Sequence, residues 1–439
     1  MPDSASVPSR QEVASAPAES LTSPTQEEAF TQEEAAAGFV LRLGRALHSF
    51  GYTANGLEDV LTHVTNHLGL IGQFFSTPTS IFAAFGPIER QRTHLIRVEP
   101  GDVNLGKLAA VDEVSAKVLR GDLSPAEGSQ RIDAIVDAPP QYGMLFQLTA
   151  FGLASATSCR ILGGGMAEVA LSTFAGLMTG ILFWISQDRA PLRRVFEFVA
   201  AFLVSGLVHV MAADGFRAST AICVLAGLIV LVPGLSVTLA LAELASRHLA
   251  AGTARLAGAF VVFIGIIFGV ALGAEVASRL VGDAPTLAIR PLPTWTLWLA
   301  IVAAPLAFTV LMRALPRDAG WILLISVMGF AGAQAGARIL GPQLGACLGA
   351  FVVGLASNLY ERFRRHPATV PLVPSVLLLV PGSVGFRSLT ELLDRHVISG
   401  VGTAFTMFLT AISLVAGLLL ANILLPPRAA VARARHMTE

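Results

Sequence analysis

The stretch LVPGLSVTLALAELASRHLAAG, residues 231–252, returns 148 residues later as LVPGSVGFRSLTELLDRHVISG, residues 379–400. Ten of the 22 aligned positions are identical. Two unrelated apolar helices often share leucines, but they rarely share Pro-Gly, Glu and Arg-His in one register. The chain therefore contains an internal repeat, and the repeat decides how the rest of the sequence is interpreted.

Each Pro-Gly pair lies within an apolar run that is long enough to cross a bilayer. Proline removes a backbone donor and clashes with the preceding turn, while glycine loosens the chain, so both runs are predicted to be broken helices. Inside a membrane, a break is tolerated where protein or a water-lined cavity satisfies the freed backbone groups. Two broken helices at matching positions indicate the binding site of a transporter.

The composition is that of a membrane protein. Of 439 residues, 54% are hydrophobic and 14% are charged, whereas about a quarter of the residues in a soluble protein are charged. The formal net charge is zero, which gives no indication of a nucleic-acid partner. The three cysteines are isolated and His63 and His67 have no third ligand nearby, so neither a metal nor another cofactor is expected.

The residues before 144 are predicted to form a tail and a small soluble domain. Residues 1–36 are polar and rich in Ser, Pro, Ala and Glu, which predicts a disordered tail. Residues 37–143 predict an α/β domain, in which a capping box at Ser124 begins the last helix. After two helices on either side of Gly51, its predicted elements are strands near 72–76, 79–85 and 93–98 and helices over 104–119 and 124–137.

Ten apolar runs follow this domain, at 144–162, 167–186, 195–213, 219–242, 256–278, 295–312, 320–339, 343–360, 368–390 and 401–424. Runs four and nine hold the Pro-Gly pairs, and because they are an odd number of crossings apart they traverse the membrane in opposite senses. The prediction is an all-α polytopic membrane protein, with ten helices arranged as a 5+5 inverted repeat. The halves are 144–280 and 295–425, and residues 426–439 form a cytoplasmic tail.

The orientation follows from the arginines near the helix ends. With the N-terminal domain in the cytoplasm, thirteen arginines lie in the cytoplasmic connections and tail and seven lie on the opposite side. Several runs also carry glycine at every fourth position, as at Gly265, Gly269 and Gly273, which favours close helix packing over a direct role in binding.

The helix starts after the two Pro-Gly pairs are the predicted substrate site. A helix start offers free N–H groups and the positive end of the helix dipole, both of which suit a carboxylate. Two inverted copies are predicted to face each other across one cavity, although a plain packing kink is the alternative. The candidate binding residues are Pro233, Gly234, Leu235, Ser236, Pro381, Gly382 and Ser383.

Charged residues within or beside the runs are candidates for gating or proton coupling. Glu243 and Glu391 lie near opposite mouths of the predicted path and have an arginine four residues further on, so that each pair is predicted to form a salt bridge. A solvated interfacial ion pair is the alternative. The candidates are Glu243, Arg247, Glu391, Arg395, Glu275 and His209.

The motifs in this sequence resemble those of a known family. The chain resembles the threonine/serine exporter (ThrE) family of bacterial inner-membrane proteins, with both halves fused in one chain. The resemblance covers about 37–425 and rests on LVPG at 231–234, PGSVGFR at 381–387 and, in the soluble domain, Arg42, Gly44 and Thr77-Pro78-Thr79. Where family members often carry Asn and Arg before an acidic residue, this chain has Leu239, Ala242 and Glu243.

The resemblance implies ion-driven export of small hydrophilic metabolites, threonine and serine being the named substrates and protons the expected ion. Relatives that split the halves over two chains export dicarboxylates, so a dicarboxylate exporter and a passive channel stay open as alternatives. A membrane enzyme is disfavoured because no nucleophile–base pattern stands out over 37–143. The expected partners are a small molecule, a coupling ion, the bilayer and a possible second copy.

Overall fold

The structure is a computed structural model that describes residues 24–99, 101–283, 289–380, 382–393 and 396–427. Its N-terminal domain contains helices α1 (Pro24–Ser49), α2 (Ala54–His67), α3 (Leu105–Leu119) and α4 (Pro125–Asp137) and strands β1 (Gly72–Thr77), β2 (Ser80–Phe85) and β3 (Arg92–Arg97). The predicted α/β domain is therefore present with its expected elements. The tail predicted for 1–36 is too long, because α1 begins at Pro24 in a run of good helix formers, QEEAFTQEEAAA.

The three strands form an antiparallel meander in the order β1-β2-β3. One face of the sheet packs on the helices through Ile81 and Ala83, which are buried with Phe39, Leu43 and other apolar residues of α1. This alternation of inward and outward residues is what a half-buried strand requires. The N-terminal domain therefore has an apolar core of its own.

The start of α4 is capped as the sequence predicts. The Ser124 hydroxyl accepts a hydrogen bond from the Glu127 N–H at 3.3 Å, and the Glu127 carboxylate accepts one from the Ser124 N–H at 2.9 Å. Because this carboxylate accepts hydrogen bonds from the N–H and hydroxyl of Ser124, the pKa of Glu127 is lowered below its usual value. Pro125 occupies the first helical turn, where its missing donor costs nothing.

We expect Ser124→Ala to destabilise the N-terminal domain by about 1 kcal/mol, the usual worth of an N-cap serine. The reason is that the Glu127 N–H loses its acceptor while the rest of α4 is untouched. Hydrogen exchange of the α4 amides in the purified full-length protein would measure the loss as faster exchange in the first turns of α4. Unchanged exchange there would show that the capping box contributes no stability.

Within the described residues after 143 there are thirteen helices, and each of the ten predicted apolar runs holds a helix or a broken pair. The helices are α5 (Met144–Ile161), α6 (Met166–Gln187), α7 (Ala190–Arg194), α8 (Phe196–Ala213), α9 (Thr220–Gly227), α10 (Gly234–Ala245), α11 (Leu249–Val281), α12 (Trp295–Leu311), α13 (Ala319–Leu340), α14 (Pro342–Arg364), α15 (Thr369–Leu377), α16 (Gly382–Leu393) and α17 (Val397–Leu424).

Among the described residues, seven helical segments are long and apolar enough to cross a membrane. They are α6, α8, α11, α13 with the short turn before it, α14, the broken pair α15–α16, and α17. The chain is thus a polytopic, mainly helical membrane protein with one small sheet. Two further apolar helices, α10 and α12, are shorter than the 18-residue span required, and α10 is short because it starts at the Pro-Gly break.

Equivalent helices pack in both halves. In the first half, α8 lies along α11, α6 contacts α9, and α10 contacts α11. In the second half, α14 lies along α17, α13 contacts α15, and α16 contacts α17 in the same way. Glycine makes close approaches between membrane helices possible, as between α11 and α8 and between α13 and α14. A Cβ on Gly273 would lie 3.0 Å from the Gly206 nitrogen, and one on Gly336 would lie 2.9 Å from the Gly345 oxygen.

The connections between helices fall into two sets. The N-terminal domain touches the first set: Glu99 pairs with Arg193 at 3.6 Å, and the Leu105 N–H donates to the Met312 carbonyl at 2.9 Å. We call this the domain side. On the opposite side, Arg160 at the end of α5 donates to Thr296 at 2.6 Å.

Candidate functional site

The two Pro-Gly breaks share a backbone hydrogen bond at the equivalent position. After α9, the Leu231 N–H donates to the Leu228 carbonyl at 2.8 Å, and α10 begins at Gly234. After α15, the Leu379 N–H donates to the Val376 carbonyl at 2.8 Å, and α16 begins at Gly382. The half-helix starts are therefore where the sequence predicts them. Pro381, a predicted site residue, lies outside the described residues.

The breaks are in direct contact with each other. A Cβ placed on Gly234 would lie 2.8 Å from the Gly382 Cα and 3.0 Å from the Gly382 nitrogen, and it would clash with Val380. A Cβ on Gly382 would lie 3.0 Å from the Val232 side chain. The predicted cavity between the two helix starts is absent between these glycines, because backbone packs on backbone there. A small molecule at this place would lie beside this contact or separate the two breaks.

Free polar groups flank the contact. Within the described part of the chain, the N–H groups of Leu235 and Ser236 and the hydroxyls of Ser236 and Ser383 have no hydrogen-bond partner. Both serines are partly exposed. Unpaired donors of this kind are costly in an apolar environment, and a bound anion would satisfy them.

An apolar cluster lies beside the start of α16. A Cβ on Gly385 would lie 3.0 Å from the ring of Phe263 and would clash with Met407. Phe263, Phe386 and Met407 belong to one buried cluster, and Leu231 and Val384 pack against it. A few polar groups set in an apolar wall are typical of a site for a small molecule.

Glu243 is completely buried near the end of α10. Its carboxylate accepts hydrogen bonds from Arg255 Nε at 3.0 Å and Nη2 at 2.9 Å, and from the Ala54 N–H at 3.2 Å. Ala54 is the first residue of α2 in the N-terminal domain. The predicted salt bridge of Glu243 with Arg247 is wrong. Arg247 takes a left-handed backbone (φ 67°) in the turn between α10 and α11, and its side chain is exposed.

The second copy of this hairpin shares one backbone hydrogen bond with the first, but its glutamate carboxylate has different partners. The His248 N–H donates to the Glu243 carbonyl at 2.9 Å, and the His396 N–H donates to the Glu391 carbonyl at 2.9 Å. Thr403 stands where the first copy has Arg255, and the Glu391 carboxylate accepts from the Thr403 hydroxyl at 2.7 Å and from Ser399 at 3.0 Å. Arg395, predicted to pair with Glu391, lies outside the described residues.

Two other predicted residues lie apart from the breaks. Glu275 is more than half exposed on α11 and pairs with Arg279 at 2.7 Å, one turn further along the helix. His209 is partly exposed on α8, and its Nδ1 lies 2.8 Å from the Ser205 carbonyl of the same helix. Neither contact links these side chains to the Pro-Gly breaks.

A cluster of titratable residues at the domain interface was not predicted. Glu58 of α2 contacts His248 at 3.3 Å and accepts from the Ser76 N–H at 2.7 Å. Burial raises the pKa of Glu58, against the opposing effects of Ser76 and His248. Burial also lowers the pKa of His48, whose Nε2 lies 2.7 Å from the Thr77 carbonyl. The partners are far apart in sequence, so no local pattern reveals the cluster.

Comparison with known proteins gives two family matches. The family described as "Putative threonine/serine exporter" matches residues 38–277, and the family described as "Threonine/Serine exporter, ThrE" matches residues 296–424. Together the matches cover the soluble domain and both halves of the membrane part. No solved structure matches the chain.

Similar curated proteins are fungal. The chain is 26% identical over 373 residues to "Pheromone-regulated membrane protein 10" of Pichia sorbitophila, covering 80% of this chain and 36% of the relative. The protein of the same name in Saccharomyces cerevisiae is 28% identical over 382 residues, covering 84% and 48%. An uncharacterized protein of Schizosaccharomyces pombe is 25% identical over 360 residues, covering 79% and 47%. The chain spans about a third to a half of the length of these relatives.

Proposed function

Because the chain belongs to the threonine/serine exporter family, with both halves of that family in one polypeptide, we propose that it is a secondary active exporter of threonine/serine-type amino acids. The observation that carries this proposal is the contact between two equivalent Pro-Gly breaks, each followed by a half-helix. Backbone that is broken inside a membrane is retained where it binds a substrate or moves during transport.

The proposed architecture is ten crossings in a 5+5 inverted repeat, with 144–280 and 295–425 as the halves. The equivalent helix pairs and the matching His-to-Glu backbone hydrogen bond of the two hairpins support the repeat. The contacts of the domain with the connections at 187–196, 245–249, 311–319 and 364–369 support the alternation of crossings. A structure of the protein in which α10 and α16 run in the same direction would overturn the inversion.

The proposed orientation puts the N-terminal domain and the tail 426–439 in the cytoplasm, as the arginine distribution indicates. We place the chain in the inner (plasma) membrane of a bacterial cell. This placement remains a proposal, because the curated relatives named above are fungal membrane proteins. Cysteines introduced at 289–294 should react with an impermeant maleimide from outside the cell, whereas those at 361–366 should react only after permeabilisation.

The proposed substrate site is formed by the groups beside the glycine contact. Leu235 and Ser236 offer N–H donors, and Ser236 and Ser383 offer hydroxyls. In this proposal the substrate carboxylate binds the positive end of α10, to which the start of α16 adds. In the same proposal, Pro233, Gly234, Pro381 and Gly382 create these helix ends by interrupting the two runs.

Proton coupling is proposed for the acidic residues of the two hairpins. Glu391 is held by neutral hydroxyls, so its protonation separates no ion pair among the described residues. Glu243 is neutralised by Arg255, which suits a gating contact better. Arg247, Arg395, Glu275 and His209 remain candidates for the same roles, without a described contact to the breaks.

Counterflow in proteoliposomes tests the function. Purified protein in vesicles loaded with unlabelled threonine or serine should accumulate the labelled amino acid transiently, because a carrier exchanges substrate across the membrane. Malate and succinate loading tests a dicarboxylate exporter in the same assay. Flux without acceleration by substrate on the far side would identify a channel, and an absence of flux with any of these solutes would contradict the proposal.

Ser236→Ala and Ser383→Ala are each expected to raise the concentration of threonine for half-maximal counterflow by about 3- to 10-fold, with little change in maximal rate. Each substitution removes one hydroxyl, and a hydrogen bond to a charged group contributes about 1.5–3 kcal/mol at most. Ser413→Ala is the matched control, because its hydroxyl contacts the Leu344 carbonyl at 3.4 Å, away from the breaks. An unchanged half-saturation in both variants would place the substrate elsewhere.

A further inference from the structure

The N-terminal domain contributes to the apolar cluster against which the start of α10 packs. Leu105 is buried in one cluster with Met312, Ile322 and Val373, and Val103 and Leu235 pack against that cluster. Leu235 is the residue that follows Pro233-Gly234. The domain therefore reaches from its own loops to the start of α10, where the free donors lie.

The backbone of the domain is hydrogen-bonded to the membrane helices. The N–H groups of Leu105 and Gly106, at the start of α3, donate to the carbonyls of Met312 and Arg313 at 2.9 and 3.0 Å. A Cβ on Gly106 would lie 2.7 Å from the Arg313 oxygen, so glycine is required for this approach. The positive end of α3 thus meets the free carbonyls at the end of α12, a favourable arrangement of helix dipoles.

Glu243 holds the domain to α10. Its buried carboxylate joins Arg255 of α11 to the Ala54 N–H at the start of α2, so it receives both a guanidinium and a helix N-terminus. Helix α10 has twelve residues, with Gly234 at one end and Glu243 near the other. A change in how the domain contacts Glu243 therefore moves the helix that forms the glycine contact.

The two hairpins, α10–α11 and α16–α17, differ in the groups that bind the glutamate carboxylate. Both contain a backbone hydrogen bond from the histidine N–H to the glutamate carbonyl, yet Arg255 in the first hairpin corresponds to Thr403 in the second. The described contacts of the Glu391 carboxylate are with Ser399 and Thr403 of α17, next in the chain, and include no residue of the soluble domain. Among the described residues, the ionic contact is thus found in the copy that bears the domain.

We propose that the N-terminal domain is the gate on its own side of the membrane, and that the Glu243–Ala54 contact couples its release to movement of α10. The gate rests on the proposed transport function, because it closes the path to the groups beside Gly234. In the closed arrangement described here, Val103, Leu105 and Leu235 pack in one apolar cluster. Release of Ala54 from Glu243 uncovers Ser236 from the domain side.

The test measures access to Ser236 rather than transport. Ser236→Cys is made in a chain whose Cys159, Cys223 and Cys347 are replaced by alanine, and open membranes are treated with an impermeant maleimide. Glu243→Gln is expected to raise the labelling rate at position 236 at least tenfold, because the loss of charge weakens the contact with Ala54. Substrate is not needed, so the result is independent of which solute is carried.

Ala54→Pro is the second variant, chosen in case Glu243→Gln does not fold. Proline removes the N–H that Glu243 accepts, while it suits the first position of a helix, and the extended Thr53 before it (ψ 152°) tolerates proline. It is also expected to raise labelling at least tenfold, with the Glu243–Arg255 pair intact. Ser124→Ala, which loosens the domain away from the interface, is the control and should leave labelling at its original rate.

The outcomes separate the two proposals. Faster labelling in Ala54→Pro but not in Ser124→Ala supports the gate, even if counterflow fails and the exporter proposal falls. Unchanged labelling in Ala54→Pro overturns the gate, even if counterflow succeeds. Equal acceleration in Ala54→Pro and Ser124→Ala also overturns it, because general loosening of the domain would then explain the access.

Discussion

Gly234→Ala is expected to lower counterflow at least about tenfold while the protein still inserts in the membrane. The added methyl group would meet the Gly382 Cα at 2.8 Å and its nitrogen at 3.0 Å, and would clash with Val380. Overpacking of a close contact costs about 1–3 kcal/mol, and here two of the opposing atoms are backbone that no rotamer change can move. The two breaks would have to separate, which disturbs the groups on either side of them.

Gly382→Ala is expected to have a smaller effect of the same kind. Its added methyl group would meet the Val232 side chain at 3.0 Å and the Gly234 Cα at 3.4 Å, and a side chain moves more readily than backbone. The order of severity, with Gly234 above Gly382, is part of the prediction.

Gly265→Ala is the matched control for this series. No atom lies within 4 Å of the Cβ it would add to α11, so the substitution should leave transport unchanged and stabilise the helix slightly. Insertion and thermal stability would be measured beside counterflow for all three variants. Transport by Gly234→Ala at the wild-type rate would show that the contact between the breaks is a passive packing feature.

Arg255→Met is expected to lower the free energy of unfolding by about 3–5 kcal/mol, because it leaves the Glu243 carboxylate buried without its cation. Glu243 has no exposed side-chain surface, and the side chain of Arg255 is 25% exposed. After the substitution, the Ala54 N–H is the one remaining donor to this carboxylate among the described contacts. Unfolding of the purified protein in a denaturing detergent would measure the loss.

The double variant Glu243→Leu, Arg255→Met should recover much of that stability, since two apolar side chains replace two charges at the same place. Arg279→Met is the control. Its ion pair with Glu275 is exposed, with 78% and 58% of the two side chains accessible, and pairs of this kind contribute about 0–1 kcal/mol. Equal losses for Arg255→Met and Arg279→Met would show that Glu243 does not depend on Arg255.

The sequence alone located the elements with strong local signals. The half-helices begin at Gly234 and Gly382, where proline and glycine interrupt each run whatever surrounds them. The Ser124 capping box is also a short-range pattern, because a cap and its partner lie within one turn of helix. The repeat itself is visible because ten identities stand in one register.

The tertiary structure decided which groups meet. Glu243 was expected to bind Arg247, which is four residues away, but a left-handed Arg247 turns the chain so that α11 returns along α10 and presents Arg255. Its third donor, Ala54, lies 189 residues earlier in the chain. Likewise, the two glycines were placed across a cavity and are in contact instead. Helix starts and turns depend on interactions between near neighbours, whereas the partner of a buried charge depends on how whole helices pack, and no local pattern encodes that.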